Sequence, residues 1–272
     1  MTIPGSVEYL GAFSFQDCTS LESVTIPESV TELCDGAFFG CTSLVSITVA
    51  ENNPNYSSED GVLFDKGKTA LMQYPIGNTR ASYTIPGTVE SVDTYAFVKC
   101  GFLTSITVDG SSTKYSSEDG VLFNKEKTRL VQYPIGNTRA SYAIPGTVET
   151  VGDYAFCGCT ALTSVTIPYG VRNFGNSAFE DCTSLGSAVL PGSMTSIGFD
   201  AFRGCTALTS VTIPDSVKTI YNSAFKGCTA LTSVAIPGSV TRISGDAFCG
   251  CTSLGIIVFE ADTWNIISIE ED

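Results

Sequence analysis

The chain has no histidine among its 272 residues, which removes the commonest general base at neutral pH and the commonest metal ligand. Nucleophilic triads built on an imidazole are excluded with it. Basic side chains are scarce too, with 14 Lys and Arg against 28 Asp and Glu and a net charge of −14. A surface of that sign repels phosphate backbones, so nucleic acid is excluded as a partner. No run approaches the roughly 20 apolar residues of a membrane-spanning helix, so direct membrane insertion is not expected. The opening MTIPGSVEYL lacks the basic and apolar regions of an export signal, and a signal and anchor are expected outside this chain. Charged residues make up only 15% of the chain against 43% apolar ones, ample material for a core.

What the chain has is repetition. Ile-Pro or Leu-Pro dipeptides end at Pro4, Pro27, Pro86, Pro145, Pro168, Pro191, Pro214 and Pro237, and the apolar register before them recurs with a period of 23. Including rungs without the proline, the registers are 3, 26, 49, 85, 108, 144, 167, 190, 213, 236 and 259. One unit reads CTALTSVTIPDSVKTIYNSAFKG from Cys205 to Gly227. Leu208, Val211 and Ile213 are expected to point inward and Ser210 and Thr212 outward, the period-2 signature of a strand with one wet face. One such unit cannot enclose a core, but stacked units bury each leucine, valine and phenylalanine on its counterpart in the next rung. Phe225 is therefore expected inside.

On these residues, and on CTSLESVTIPESVTELCDGAF at Cys18 to Phe38, the chain resembles the BspA-like (bacterial surface antigen type) class of leucine-rich repeat proteins, with 23-residue repeats. The general leucine-rich pattern is met at Leu21, Val24 and Ile26, but its asparagine position holds Ser29, Ser193, Ser216 or Ser239. The resemblance implies a leucine-rich repeat solenoid, a curved right-handed array with a parallel β-sheet on its concave face. Residues 1–272 are expected to form one such domain, with longer hairpin-bearing units at 50–86 and 109–145.

Eight of the 11 cysteines share one phase: Cys18, Cys41, Cys100, Cys159, Cys182, Cys205, Cys228 and Cys251. Stacked in neighbouring rungs, their side chains run alongside rather than face one another, which opposes disulfide geometry and favours buried free thiols. Cys157 and Cys249 form Cys-Gly-Cys runs, but each falls at a variable position of the Ala-Phe-x-Gly-Cys repeat, so metal or redox chemistry is not expected there.

The two long units carry β-hairpins, read from Val62-Leu63-Phe64 with Leu71-Met72-Gln73-Tyr74 and from Val121-Leu122-Phe123 with Leu130-Val131-Gln132-Tyr133. The run QYPIGNTRASY is identical at 73–83 and 132–142, a mark of duplication. These units hold eight of the 14 bases, among them Lys66, Lys68, Lys125, Lys127, Arg129, Arg80 and Arg139. Such cations suit an anionic partner or, at a hairpin turn, protect an edge strand from unwanted pairing. Residues 1–49 hold six acids and no base, and residues 260–272 five acids and no base, a distribution suited to solubilising caps.

No catalytic residues, cofactor or metal site are expected. Glu59-Asp60 and Glu118-Asp119 recur as acidic pairs, but each precedes glycine in ordinary turn chemistry. No phosphate-cradling glycine loop, zinc spacing or EF-hand appears. Contact residues are expected instead. The outward rows run through Ser164 and Ser210 and through Thr166 and Thr212, and read as good solvent-facing strand residues or as a broad, avid contact face. Tyr56, Tyr74, Tyr83, Tyr115, Tyr133 and Tyr142, with Arg80 and Arg139, form aromatic-plus-cation patches on the long units. The resemblance implies a non-enzymatic, cell-surface or extracellular adhesion module whose partners are host or neighbouring-cell proteins or glycans. The other reading is a structural spacer within a longer cell-surface protein.

Overall fold

The computed structural model describes residues 1–260, so the acidic run 260–272, apart from Glu260, lies outside the described residues. Among the described residues short strands are joined by turns, and no helix occurs. The chain forms two compact units, one of residues 1–125 with 134–136, the other of 126–133 with 137–272.

In the first unit, Ser23–Ile26 pairs in parallel with Ser46–Val49, and Ser82–Ile85 with Ser105–Val108. The repeat period sets the register: Val24 lies beside Ile47 and Tyr83 beside Ile106, so one face of these four strands is apolar and buried. A second, shorter row pairs Tyr9–Leu10 with Glu32–Leu33. Serine takes the place of the missing asparagine in the turn between the rows. Ser29 Oγ donates to the Val7 carbonyl at 2.8 Å and Ser239 Oγ to that of Val217 at 2.8 Å, each a bond to the rung before.

The first long unit is a three-stranded meander. Tyr56–Glu59 runs antiparallel to Val62–Asp65 through Asp60 and Gly61, whose φ angles of 54° and 83° make the two-residue turn that matches strand twist. Ala70–Gln73 returns antiparallel to Val62–Asp65 and then joins the second row beside Ser91–Val92. The second copy pairs Tyr115–Glu118 with Val121–Asn124 in the same way. The expected hairpin strand at 62–64 is present, but the strand before it was not expected, because YSSE shows no apolar alternation.

These meanders interrupt the row of parallel first strands, as hairpin-bearing units inserted in the repeat imply. Ile47 N–H donates to the Gly61 carbonyl at 2.9 Å and Val49 N–H to Ser58 Oγ at 3.0 Å, so the hairpin tip takes the edge that a following strand would occupy. Ile106 and Val108 are met identically by Gly120 and Ser117, at 2.8 and 3.1 Å. Gly61 sits so close that an added Cβ would lie 3.3 Å from Ser46 Cα.

In the second unit the first-strand row pairs Ser141–Ala143 with Ser164–Thr166, Ser187–Val189 with Ser210–Thr212, and Ser233–Pro237 with Ile256–Glu260, all parallel. The second row pairs Ser196–Ile197, Thr219–Ile220 and Arg242–Ile243 in turn. Between the rows runs a column of rings. Phe156, Phe179, Phe202, Phe225 and Phe248 stack at 4.8, 5.3, 5.5 and 5.2 Å with planes within 10° of parallel. Phe225 is inside, as its phase predicts.

Candidate functional site

The outward rows of the first strands are exposed in the second unit and partly covered in the first. In the second unit Ser164, Thr166, Ser210 and Thr212 are all exposed. Parallel pairing sets Ser141 beside Ser164, Ser187 beside Ser210 and Val189 beside Thr212. In the first unit the rows extend through Ser82 and Thr84, which the sequence reading omitted; Thr84 and Thr107 share a hydroxyl hydrogen bond of 2.8 Å. Ser46 and Ser105 are half-buried beneath the glycines of the hairpin tips. A phase count would have found Ser82 and Ser141, each 23 residues before a member already recognised.

The tyrosines fall elsewhere than expected. Tyr74 and Tyr133 are fully buried, and Tyr56 and Tyr83 nearly so. Buried rings present no surface to a partner, so the contact role expected of these four is corrected to packing. Tyr74 and Tyr133 occupy the phenylalanine position of their rungs: Tyr74 lies 5.8 Å from Phe97, and Tyr133 stacks 5.1 Å from Phe156. Burial pushes both phenols up to about 12. Tyr83 and Tyr142 fill the wider rung from the first strand, with ring centroids 5.1 Å from Tyr74 and 4.9 Å from Tyr133. Tyr115 and Tyr142 keep partial exposure.

Tyr56 and Tyr115 have a further task. Where the hairpin replaces a regular strand, the second row is left with an open N–H, and the phenol oxygen accepts it. Leu33 N–H donates to Tyr56 OH at 2.8 Å and Val92 N–H to Tyr115 OH at 3.0 Å.

The expected cations are engaged within the first meander. Lys68 pairs with Glu59 at 3.0 Å, Arg80 with Asp60 at 3.5 Å, and Lys66 donates to the Glu51 carbonyl. Arg80 and Arg139 both keep exposed side chains. Asp65 accepts from the Thr69 and Ala70 amides and the Thr69 hydroxyl. These bonds hold its carboxyl below the usual range against the opposing effect of burial.

All 11 cysteines are free thiols. Seven members of the in-phase ladder are buried; Cys18 is exposed, correcting the expectation for that rung, because it ends the column with a rung on one side only. Cys41, Cys182, Cys205, Cys228 and Cys251 each donate at 3.1 Å to the carbonyl of the phenylalanine 26 residues earlier. Burial raises the Cys41 thiol to about 11 and those of Cys100, Cys159, Cys182 and Cys205 further. A thiol so raised carries almost no thiolate, the nucleophilic and metal-binding form. No cluster of three or more Cys, Asp or Glu side chains fit to hold a metal ion occurs among the described residues. No helix long and apolar enough to cross a membrane occurs among them.

The pattern of the BspA type Leucine rich repeat region matches six copies over residues 1–60, 79–128 and 136–255. Among solved structures the chain is similar to a leucine rich cell surface protein from Faecalibacterium prausnitzii, at 27% identity and a TM-score of 0.67, covering 100% of this chain and 90% of that one. It is also similar in fold to a leucine-rich repeat protein from Eubacterium ventriosum, at 23% identity and a TM-score of 0.58, covering 97% and 83%. No curated protein matches.

Proposed function

Because the chain belongs to the BspA-type leucine-rich repeat family, we propose that it is a non-catalytic adhesion module, displayed at a cell surface or secreted, that binds host or neighbouring-cell proteins or glycans through its hydroxyl rows. The observation that carries this reading is the register of exposed side chains. Parallel pairing sets Ser141 beside Ser164 and Ser187 beside Ser210, with Ala143 beside Thr166 and Val189 beside Thr212, and all of these side chains are exposed. Each hydroxyl contributes little alone, but many equivalent positions engage a large partner together. The likeness to a cell surface protein supports the location, and the repeat match is to no enzyme family.

The test is a binding screen of the chain against immobilised extracellular matrix proteins and glycans, beside a variant carrying Thr166→Gln and Thr212→Gln. Both positions are exposed, so the longer neutral side chains obstruct the rows without entering the core. Saturable binding, weakened on the order of tenfold in the variant, is expected. Binding that ignores the substitutions removes the hydroxyl rows as the contact face, and no binding across the panel favours a spacer.

A further inference from the structure

On the outer side of the first unit, three rungs bring an aromatic cluster to the surface. The rings of Phe13, Phe39 and Tyr95 meet edge to face, with centroids 6.0, 5.3 and 5.5 Å apart. Gly36 makes the meeting possible: its φ is 68°, and a Cβ there would lie 2.6 Å from the Phe13 ring and 3.2 Å from that of Tyr95. Phe13 is 39% exposed and Tyr9, beside it in the same rung, 54% exposed. The site already shows what it accommodates, because Lys99 Nζ sits 4.7 Å from the centroid of Phe39, in reach of the negative face of the ring.

Apart from Lys99, the charged side chains named around the rings are acidic. Asp35 adjoins Gly36, Asp93 lies two residues before Tyr95, and Asp17 reaches over Gly40 beside Phe39. No lysine or arginine forms an ion pair with these three among the described residues. Burial, and then the charges of Asp35 and Asp65, push the Asp93 carboxyl up. The comparable pair in the second unit, Phe199 stacked on Tyr221 at 4.8 Å, differs: Arg203 pairs there with both Asp200 and Glu180.

We propose that this aromatic and acidic surface of the first unit, centred on Phe13, Phe39 and Tyr95, docks a basic segment of a partner polypeptide, whose arginine or lysine side chains lie over the rings between the carboxylates. It is a contact site separate from the hydroxyl rows. An acidic glycan is repelled by the same carboxylates.

The experiment titrates the full chain into a fluorescently labelled ten-residue peptide of alternating arginine and glycine and reads anisotropy at low salt. Phe13→Ser and Asp35→Asn are compared with Phe199→Ser and Asp215→Asn, which make the same chemical changes at exposed positions of the second unit. Circular dichroism confirms that each variant is folded. Saturable binding is expected, weakened about two- to fivefold by each first-unit substitution and unchanged by the others. The Thr166→Gln, Thr212→Gln variant should bind the peptide as the parent does, which separates this surface from the hydroxyl rows. The proposal is overturned by a lack of saturable binding, by equal weakening in the second-unit controls, which would mark attraction to the bulk charge of −14, or by preference for a sulfated or neutral glycan over the peptide.

Discussion

At the scale of single residues, phenylalanine and cysteine act as a pair across rungs. The carbonyl of Phe179 accepts the Cys182 N–H at 3.3 Å within its own rung and the Cys205 thiol at 3.1 Å from the next. Both lone pairs of a buried carbonyl are thereby met. Cysteine suits the position because it is a small apolar side chain with one weak donor, whereas alanine would supply no donor at all. Asp93 shows the opposite case, a half-buried carboxyl facing Asp35 and Asp65 and pushed up to about 7, chiefly by burial. Its folded value lies above the unfolded value of about 3.9, so the folded state holds the proton more tightly. The stability it contributes is complete below about pH 4 and is lost as pH rises through 7. The melting temperature should therefore fall between pH 5 and pH 8 more steeply in the parent than in Asp93→Asn. Parallel slopes in the two proteins would show that Asp93 ionises normally.

At the scale of elements, the meanders solve an edge problem. A solenoid that inserts a hairpin leaves unpaired N–H groups on both strand rows, and here each is met by a named acceptor: Gly61 and Ser58 for the first row, Tyr56 for the second. Tyr56→Phe removes one oxygen and leaves the ring. The Leu33 N–H then loses its partner, at a cost of about 1 to 3 kcal/mol. Hydrogen exchange should show faster exchange at Leu33 in the variant, with Leu10 and Ile47 little changed; an unaltered rate at Leu33 would contradict the assignment. The sequence made the rungs legible because a period of 23 fixes which residues face in, and Phe225 and Leu208 followed from it directly. It misled at Tyr74 and Tyr133, where nearby lysines and arginines suggested a surface patch. Counting back 23 from Phe97 and Phe156 places both tyrosines in the ring column, so the signal was present but masked by the insert. The strand Tyr56–Glu59 left no such signal, since a hydroxyl that accepts an amide from another rung has no local signature.

At the scale of the whole molecule, stability is a sum of contacts between neighbouring rungs rather than the property of one central core. The ring column of the second unit tests this. Phe225 is fully buried and stacks on Phe202 at 5.5 Å and on Phe248 at 5.2 Å, so replacing it with alanine opens a cavity and cuts the column at one rung. The loss is about 3 to 5 kcal/mol, and the melting temperature should fall accordingly. Because each rung touches only its neighbours, protection from hydrogen exchange should fall most around Ala201, Ala224 and Ala247, whose carbonyls accept the amides of Phe179, Phe202 and Phe225. It should fall less around Ala178, further along the column, whose carbonyl accepts the Phe156 amide. A uniform loss along the second unit would mean that its rungs unfold as one block, and an unchanged melting curve would remove Phe225 from the core. The graded pattern is the one that nearest-neighbour stacking requires.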